Sequence, residues 1–219
     1  MSNYAARSMP PRTLTEAEAD RILRVTGESA GGFRDHVIIA MALGTGLREH
    51  ELLALDVGDV LAWNRTIPGT LEGAPVAGDP GQYIRRRLEL RVFKGRGRWD
   101  GQTQEALLSD RVRYKLAKYV DTIRGRPLAM PLFMSQKKRR LSTRRLRELF
   151  VEWQQLAGFE RLFPFHALRH TYCTNAYQES GKDIVQVQRL ARHRNIATTL
   201  IYTRASDEEV LATAKKLRG

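Results

Sequence analysis

Residues 166–202, HALRHTYCTNAYQESGKDIVQVQRLARHRNIATTLIY, decide how the chain is read. Three helices follow one another in this stretch, over 166–180, 183–191 and 195–201, with Gly181 breaking the first from the second. His166 and Arg169 stand three residues apart and so share one helix face. His193 precedes Tyr202 by nine residues, across the short third helix. Cys173, the single cysteine, lies in an apolar helical pattern and is expected to be a buried packing thiol. Being alone, it excludes an intrachain disulfide and a multi-thiolate zinc site.

Working outward, the preceding segments are mostly helical. Thr15 and Glu18 have capping-box spacing at the start of a helix that stops at Gly27. FRDHVIIAMAL (33–43) is apolar enough to be the central helix of the core, and it ends at Gly44 and Gly46. Thr45-Gly46-Leu47-Arg48-Glu49-His50-Glu51-Leu52 then places an arginine at the opening of the next helix, LREHELLAL. Between 60 and 108 the pattern changes to short alternating runs, as in Leu88, Leu90 and Val92, broken by the glycine-rich turn KGRGR (94–98). Residues 64–82 hold four glycines and three prolines and are expected to form a long surface loop. Further helices are expected at 110–124 and 142–157, with a last amphipathic one over 206–217. The resulting fold class is α+β, mainly α, with one small antiparallel sheet. Residues 1–13 read as a flexible tail and 14–219 as one domain.

Composition narrows the partners. Lys and Arg number 37 against 24 Asp and Glu, a net charge of +13 with a pI near 10.4, which favours a polyanionic partner, nucleic acid first. No run of about 18 apolar residues and no secretory signal are present, so a cytoplasmic protein without a membrane partner is expected. The basic stretch Lys137, Lys138, Arg139 and Arg140, continuing into Arg144 and Arg145, is a candidate contact for the DNA backbone.

Each motif residue alone has an ordinary structural explanation: a solvated arginine at a helix start, a satisfied histidine, a half-buried tyrosine. Together and in this order, T-G-L-R-x-x-E, H-x-L-R-H and H-x8-Y resemble the signature of the tyrosine recombinase (phage integrase) family, from Leu14 to the C-terminus. LTEAE, LLALDVGDV and TTLIYTR are similar to the family as well.

The resemblance implies a site-specific recombinase, and the roles it assigns are ones the chemistry wants. A phosphodiester in a five-coordinate transition state gathers charge on its non-bridging oxygens, which the guanidinium groups of Arg48 and Arg169 would meet. Tyr202 would attack phosphorus and form a 3′-phosphotyrosyl link, which requires neither metal nor cofactor. Lys94 would protonate the 5′-oxygen, with Arg96 and Arg98 as rivals. His166 would help deprotonate the tyrosine and orient the phosphate, and His193 would hydrogen-bond the phosphate. Glu51, three residues after Arg48, is close enough to hold its guanidinium. His170 and His50 are expected to be structural.

The chain departs from the family in three places. Arg192 stands where glycine is common before the second histidine, preceded by Ala191 where leucine is usual. The interval from Arg48 to Lys94, 46 residues, is longer than the family's, the excess lying in 64–82. Family members also usually carry a helical clamp domain ahead of the catalytic one, and only a short tail precedes Thr15; the length resembles the fimbrial-switch invertases, or a catalytic fragment of something longer. Self-assembly as a dimer or tetramer on DNA is implied, with 206–217 docking on a neighbouring protomer. The alternatives are a type IB topoisomerase and a DNA-binding protein that keeps the fold without the catalysis.

Overall fold

Helix α1 (Glu16–Glu28) begins where the capping box expects it. The Thr15 hydroxyl accepts from the Glu18 N–H, and the Glu18 carboxylate accepts from the Thr15 N–H at 2.7 Å. Just before it, the Leu14 N–H donates to the Thr171 hydroxyl at 2.9 Å and so ties the start of the domain to a helix far along the chain. In this computed structural model the described residues are 12–62, 83–94, 98–202 and 215, the side chains of 93, 94 and 98–100 excepted.

Helix α2 (Phe33–Thr45) is the central element, as its composition predicts: Val37, Ile38, Ile39 and Met41 are all buried, and it packs against several other helices. It ends at Gly46, whose left-handed backbone (φ 60°) is natural to glycine. Helix α3 (Glu49–Ala54) starts two residues later than LREHELLAL suggests, because Arg48 is extended (φ −72°, ψ 154°). A four-residue helix α4 (Val57–Val60) follows, which the sequence does not signal.

The sheet is a two-stranded antiparallel hairpin of β1 (Arg87–Lys94) and β2 (Arg98–Leu107), with a register shift between Arg91 and Phe93. Alternation puts Leu88 and Leu90 into the core, where Ala106 meets them from the other strand. Helices α5 (Asp110–Thr122), α6 (Thr143–Leu156), α7 (His166–Glu179) and α8 (Ile184–Ala191) complete the domain. Helices α1, α5 and α7 pack on α2. The expected helix over 195–201 is instead two tight 3-10 turns, Ile196–Thr198 and Leu200–Tyr202. Its N–H groups bond three residues back, Thr199 to Ile196 and Tyr202 to Thr199, and the Asn195 side chain caps the first turn by accepting from Ala197.

One large cluster of buried residues fills the space between the helices and the inner face of the hairpin. A smaller one, Cys173, Val187 and Ala191, lies between α7 and α8, and Tyr202 packs on it. The thiol is fully buried, as its helical setting suggests. Most of the expected N-terminal tail, the 64–82 loop and, Lys215 aside, the 206–217 helix lie outside the described residues. Among the described residues no helix is long and apolar enough to cross a membrane.

Candidate active site

Arg169 is the joint at which the three motif segments meet. It points from α7 into the protein, 3% exposed, and donates through Nη1 to the Gly46 carbonyl and through Nη2 to the Ala191 carbonyl. Gly46 belongs to the turn that carries Arg48, and Ala191 ends the helix that leads to His193. Any side chain at 46 would be strained by the positive φ, and a Cβ there would stand 2.3 Å from the Tyr172 ring. The glycine of T-G-L-R is therefore required twice over, by backbone and by contact.

Arg48 opens α3 and is held by Glu51. The carboxylate accepts from the Arg48 N–H at 2.8 Å and from its Nη1 at 2.6 Å. Glu51 is itself buried; its neighbours Arg192 and Arg48 keep it below the usual carboxylate range despite the opposing effect of burial. Arg192 stacks behind both. Its Nη2 faces Glu51 Oε2 at 3.4 Å and donates to the Gly46 carbonyl at 3.2 Å, and its Nη1 donates to the Thr45 and Leu190 carbonyls. Its backbone is left-handed (φ 57°), the conformation that suits glycine. Burial, with Arg48 and Arg192 nearby, brings Arg169 down to about 10, so it stays cationic at neutral pH. Arg48, His50, Glu51, Arg91, Arg192 and Arg194 line a cleft of about 240 Å³ between α3, β1 and the end of α8. A cleft so lined suits an anion.

The tyrosine sits beside this cluster among histidines. Its hydroxyl is 2.7 Å from His170 Nδ1, and its ring lies parallel to that of His193, centroids 6.3 Å apart. His166 meets His170 edge to face at 4.6 Å. Burial brings His170 down to about 4, aided by His166 and Arg169, and brings His193 down to about 4, aided by Arg169 and Arg48. His166 is lowered in the same direction, by burial first and Arg169 second. All three rings are thus neutral at pH 7, and the tautomer of His170 sets which partner of its bond with Tyr202 donates. Burial and the Cys173 thiol raise Tyr202 above the ordinary phenol range. His193 Nδ1 is engaged by the Thr199 hydroxyl at 2.9 Å, which leaves Nε2 as the nitrogen that can serve a ligand.

The structure thus brings Arg48, Glu51, His166, Arg169, His193 and Tyr202 together. Lys94 is the last residue of β1 and pairs with Arg98 across the hairpin. Its side chain, and the rival Arg96 and Arg98 side chains, lie outside the described residues. Two residues play a part that the sequence does not announce. His170, expected to be structural, holds the tyrosine hydroxyl, and Arg192, notable in sequence only as a departure, is woven into the arginine cluster. The first was detectable: His166, Arg169, His170 and Cys173 fall at i, i+3, i+4 and i+7, one continuous stripe of α7. Nothing local marks Arg192.

The basic run divides. Arg140, though exposed, is bonded back to the Leu53 and Leu55 carbonyls and to Asp56. Arg144 pairs with Glu148, Arg145 with Glu148 and Glu152, and Arg147 with Glu49. Lys137, Lys138 and Arg139 are exposed. Among the described residues no group of three or more His, Cys, Asp or Glu is placed to hold a metal ion.

Comparison with known proteins shows the family. The model of the phage integrase family matches residues 85–209, more than half of the chain. The tyrosine recombinase XerC of Vibrio cholerae is 31% identical over 199 residues, 88% of this chain and 54% of that protein. The chain spans little more than half the length of the curated relatives it matches. Among solved structures, the XerA recombinase superposes with a TM-score of 0.68 at 23% identity, covering 97% of this chain and 68% of that one. The XerH site-specific recombinase bound to its difH substrate, in a pre-cleavage complex, gives 0.65 at 21% identity over 95% and 55%.

Proposed function

Because the chain belongs to the phage integrase family, we propose that it is a site-specific recombinase that cleaves and rejoins double-stranded DNA with Tyr202 as nucleophile. The observation that carries this reading is the junction at Arg169: it bonds the turn that leads to Arg48 and the helix end that leads to His193, within electrostatic reach of a tyrosine hydroxyl bonded to histidine.

In the reaction the Tyr202 oxygen bonds to phosphorus while the bond from phosphorus to the 5′-oxygen breaks. The tyrosine's proton passes to the neutral histidines around it, His166 and His170, and the departing 5′-oxygen takes a proton from Lys94. Arg48, Arg169 and Nε2 of His193 bind the non-bridging oxygens, whose charge grows as phosphorus becomes five-coordinate. The 3′-phosphotyrosyl link keeps the bond energy, and attack by a 5′-hydroxyl reverses each step. Preorganisation supports this assignment: the guanidinium groups are already held by Glu51 and by backbone carbonyls, so little reorganisation is needed when the phosphate arrives. DNA is the partner that the charge of +13 favours, bound by a dimer or tetramer of the chain inside the cell.

The test is a nicked suicide duplex carrying the protein's recombination site, found by mapping covalent adducts across the genome. The wild type should form a covalent adduct on it. Tyr202→Phe should bind the duplex with unchanged affinity and form none. A substrate with sulfur in place of the 5′-leaving oxygen, which needs no proton donor, should restore cleavage to Lys94→Ala and to neither Arg48→Ala nor Arg169→Ala. An adduct that persists in Tyr202→Phe would overturn the assignment, and binding without any adduct from the wild type would leave a DNA-binding protein.

A further inference from the structure

We propose that Arg192 is a positioning residue for cleavage, one that fixes Arg48 and Arg169 relative to each other. The inference rests on the recombinase reading above and concerns a residue in contact with both halves of the arginine cluster. Its Nη2 reaches Glu51, the carboxylate that holds Arg48, and the Gly46 carbonyl, which also accepts from Arg169. Its Nη1 reaches the Thr45 carbonyl one residue earlier. One side chain from the end of α8 therefore grips the turn between α2 and α3 at three points, beside the place where Arg169 grips it.

Two costs show that this placement is not a passive consequence of helix termination. A non-glycine residue in the left-handed region is disfavoured, and Arg192 lies there at φ 57°. Its Nε is also buried with no hydrogen-bond partner among the described residues, and its side chain is only 4% exposed. Glycine or asparagine would end α8 more comfortably. What the arginine adds is the link to Glu51 and Gly46, and that link spans the two segments whose guanidinium groups must face one phosphate. A displacement of about 1 Å in such a pair is enough to slow a reaction on the order of a hundredfold.

The experiment compares single-turnover cleavage of the suicide duplex by the wild type, Arg192→Gly and Arg192→Asn, with DNA affinity and thermal midpoint measured on each. Both replacements accept the left-handed backbone, so a residue that served only to end the helix would leave cleavage at the wild-type rate, and that result overturns the proposal. The expected result is a 10- to 100-fold slower cleavage at saturating protein, with affinity changed less than threefold and the fold retained. A few millimolar guanidinium, set against sodium at equal ionic strength, should recover part of the lost rate in Arg192→Gly by filling the vacated site; no recovery would show that the loss is not one of the missing cation and would also count against the proposal. Glu51→Gln combined with Arg192→Gly should slow cleavage by less than the product of the two single effects, since both act through one contact. If the wild type itself forms no adduct, the recombinase reading fails; if it does and Arg192→Gly matches it, this inference alone fails.

Discussion

The Tyr202 hydroxyl and Nδ1 of His170 share a hydrogen bond of 2.7 Å, which joins the Leu200–Tyr202 turn to helix α7 and which no spacing in the intervening chain requires. Both partners are half-buried, and burial keeps the imidazole neutral at pH 7. Two consequences can be measured.

His170→Ala leaves the tyrosine hydroxyl without its partner, and a loss of about 1–2 kcal/mol of stability is expected. Measured by denaturant unfolding, the coupling between His170→Ala and Tyr202→Phe should be on the order of 1 kcal/mol at pH 7. Simply additive effects would mean that the bond contributes nothing to the fold.

The depressed histidines also make stability depend on pH. An unfolded imidazole titrates near 6.5, whereas His170 and His193 titrate at about 4 in the fold, chiefly through burial. Between these values the unfolded chain binds protons that the folded chain refuses, so stability rises with pH across the interval and is complete above it. The rings are partly screened by solvent, which reduces the effect. A fall in thermal midpoint of roughly 5 °C from pH 7 to pH 5 is expected. Replacing both rings, with His170→Phe and His193→Phe, should flatten the slope; an unchanged slope would locate the titration elsewhere.

Gly46→Ala should be among the most damaging small substitutions in the domain. It forces a methyl group against Tyr172 and a left-handed backbone on alanine, and a loss of at least about 2 kcal/mol is expected. Because the Gly46 carbonyl accepts from Arg169 and Arg192, cleavage should fall further than the unfolded fraction explains. Equal losses of fold and cleavage, measured by circular dichroism and adduct yield, would refute the second part.

The basic run should separate into two behaviours. Replacing Lys137, Lys138 and Arg139 by glutamine should leave the thermal midpoint in place. It should weaken DNA binding equally for all sequences and lower the slope of log affinity against log salt by about 0.9 for each phosphate that is no longer neutralised. Arg140→Gln should instead destabilise the fold, by about 1–2 kcal/mol, since its guanidinium braces the Leu53 and Leu55 carbonyls. An Arg140→Gln protein of native stability would overturn that division.

The contrast between these arginines shows how much of the molecule is legible along the chain. Helices α1, α2, α5, α6, α7 and α8 follow from apolar periodicity, capping residues and glycine stops, all local signals. The grouping of Arg48, Arg169, His193 and Tyr202 is legible only through resemblance, because contacts between segments far apart in the chain leave no trace in spacing. Arg140 and Arg192 mislead for the same reason. A guanidinium that will be bonded back to backbone carbonyls looks, in sequence, like one that will be free in solvent. The 3-10 turns that carry Tyr202 resemble one helix because two short turns and one helix share the same composition over seven residues.

The carbonyls that hold Arg169 have one more implication. Gly46 and Ala191 satisfy its N–H groups with neutral dipoles, so the guanidinium is oriented without being neutralised. Had aspartate or glutamate taken those positions, an incoming phosphate would have had to compete with a resident anion. Among the described residues one carboxylate, Glu51, is interposed between Arg48, Arg169 and Arg192, and Arg169 is anchored to peptide groups that neither titrate nor disappear on side-chain substitution. The orientation of the guanidinium that attracts a phosphodiester is therefore set by the main chain at this turn, where drift in the surrounding side chains would alter it least.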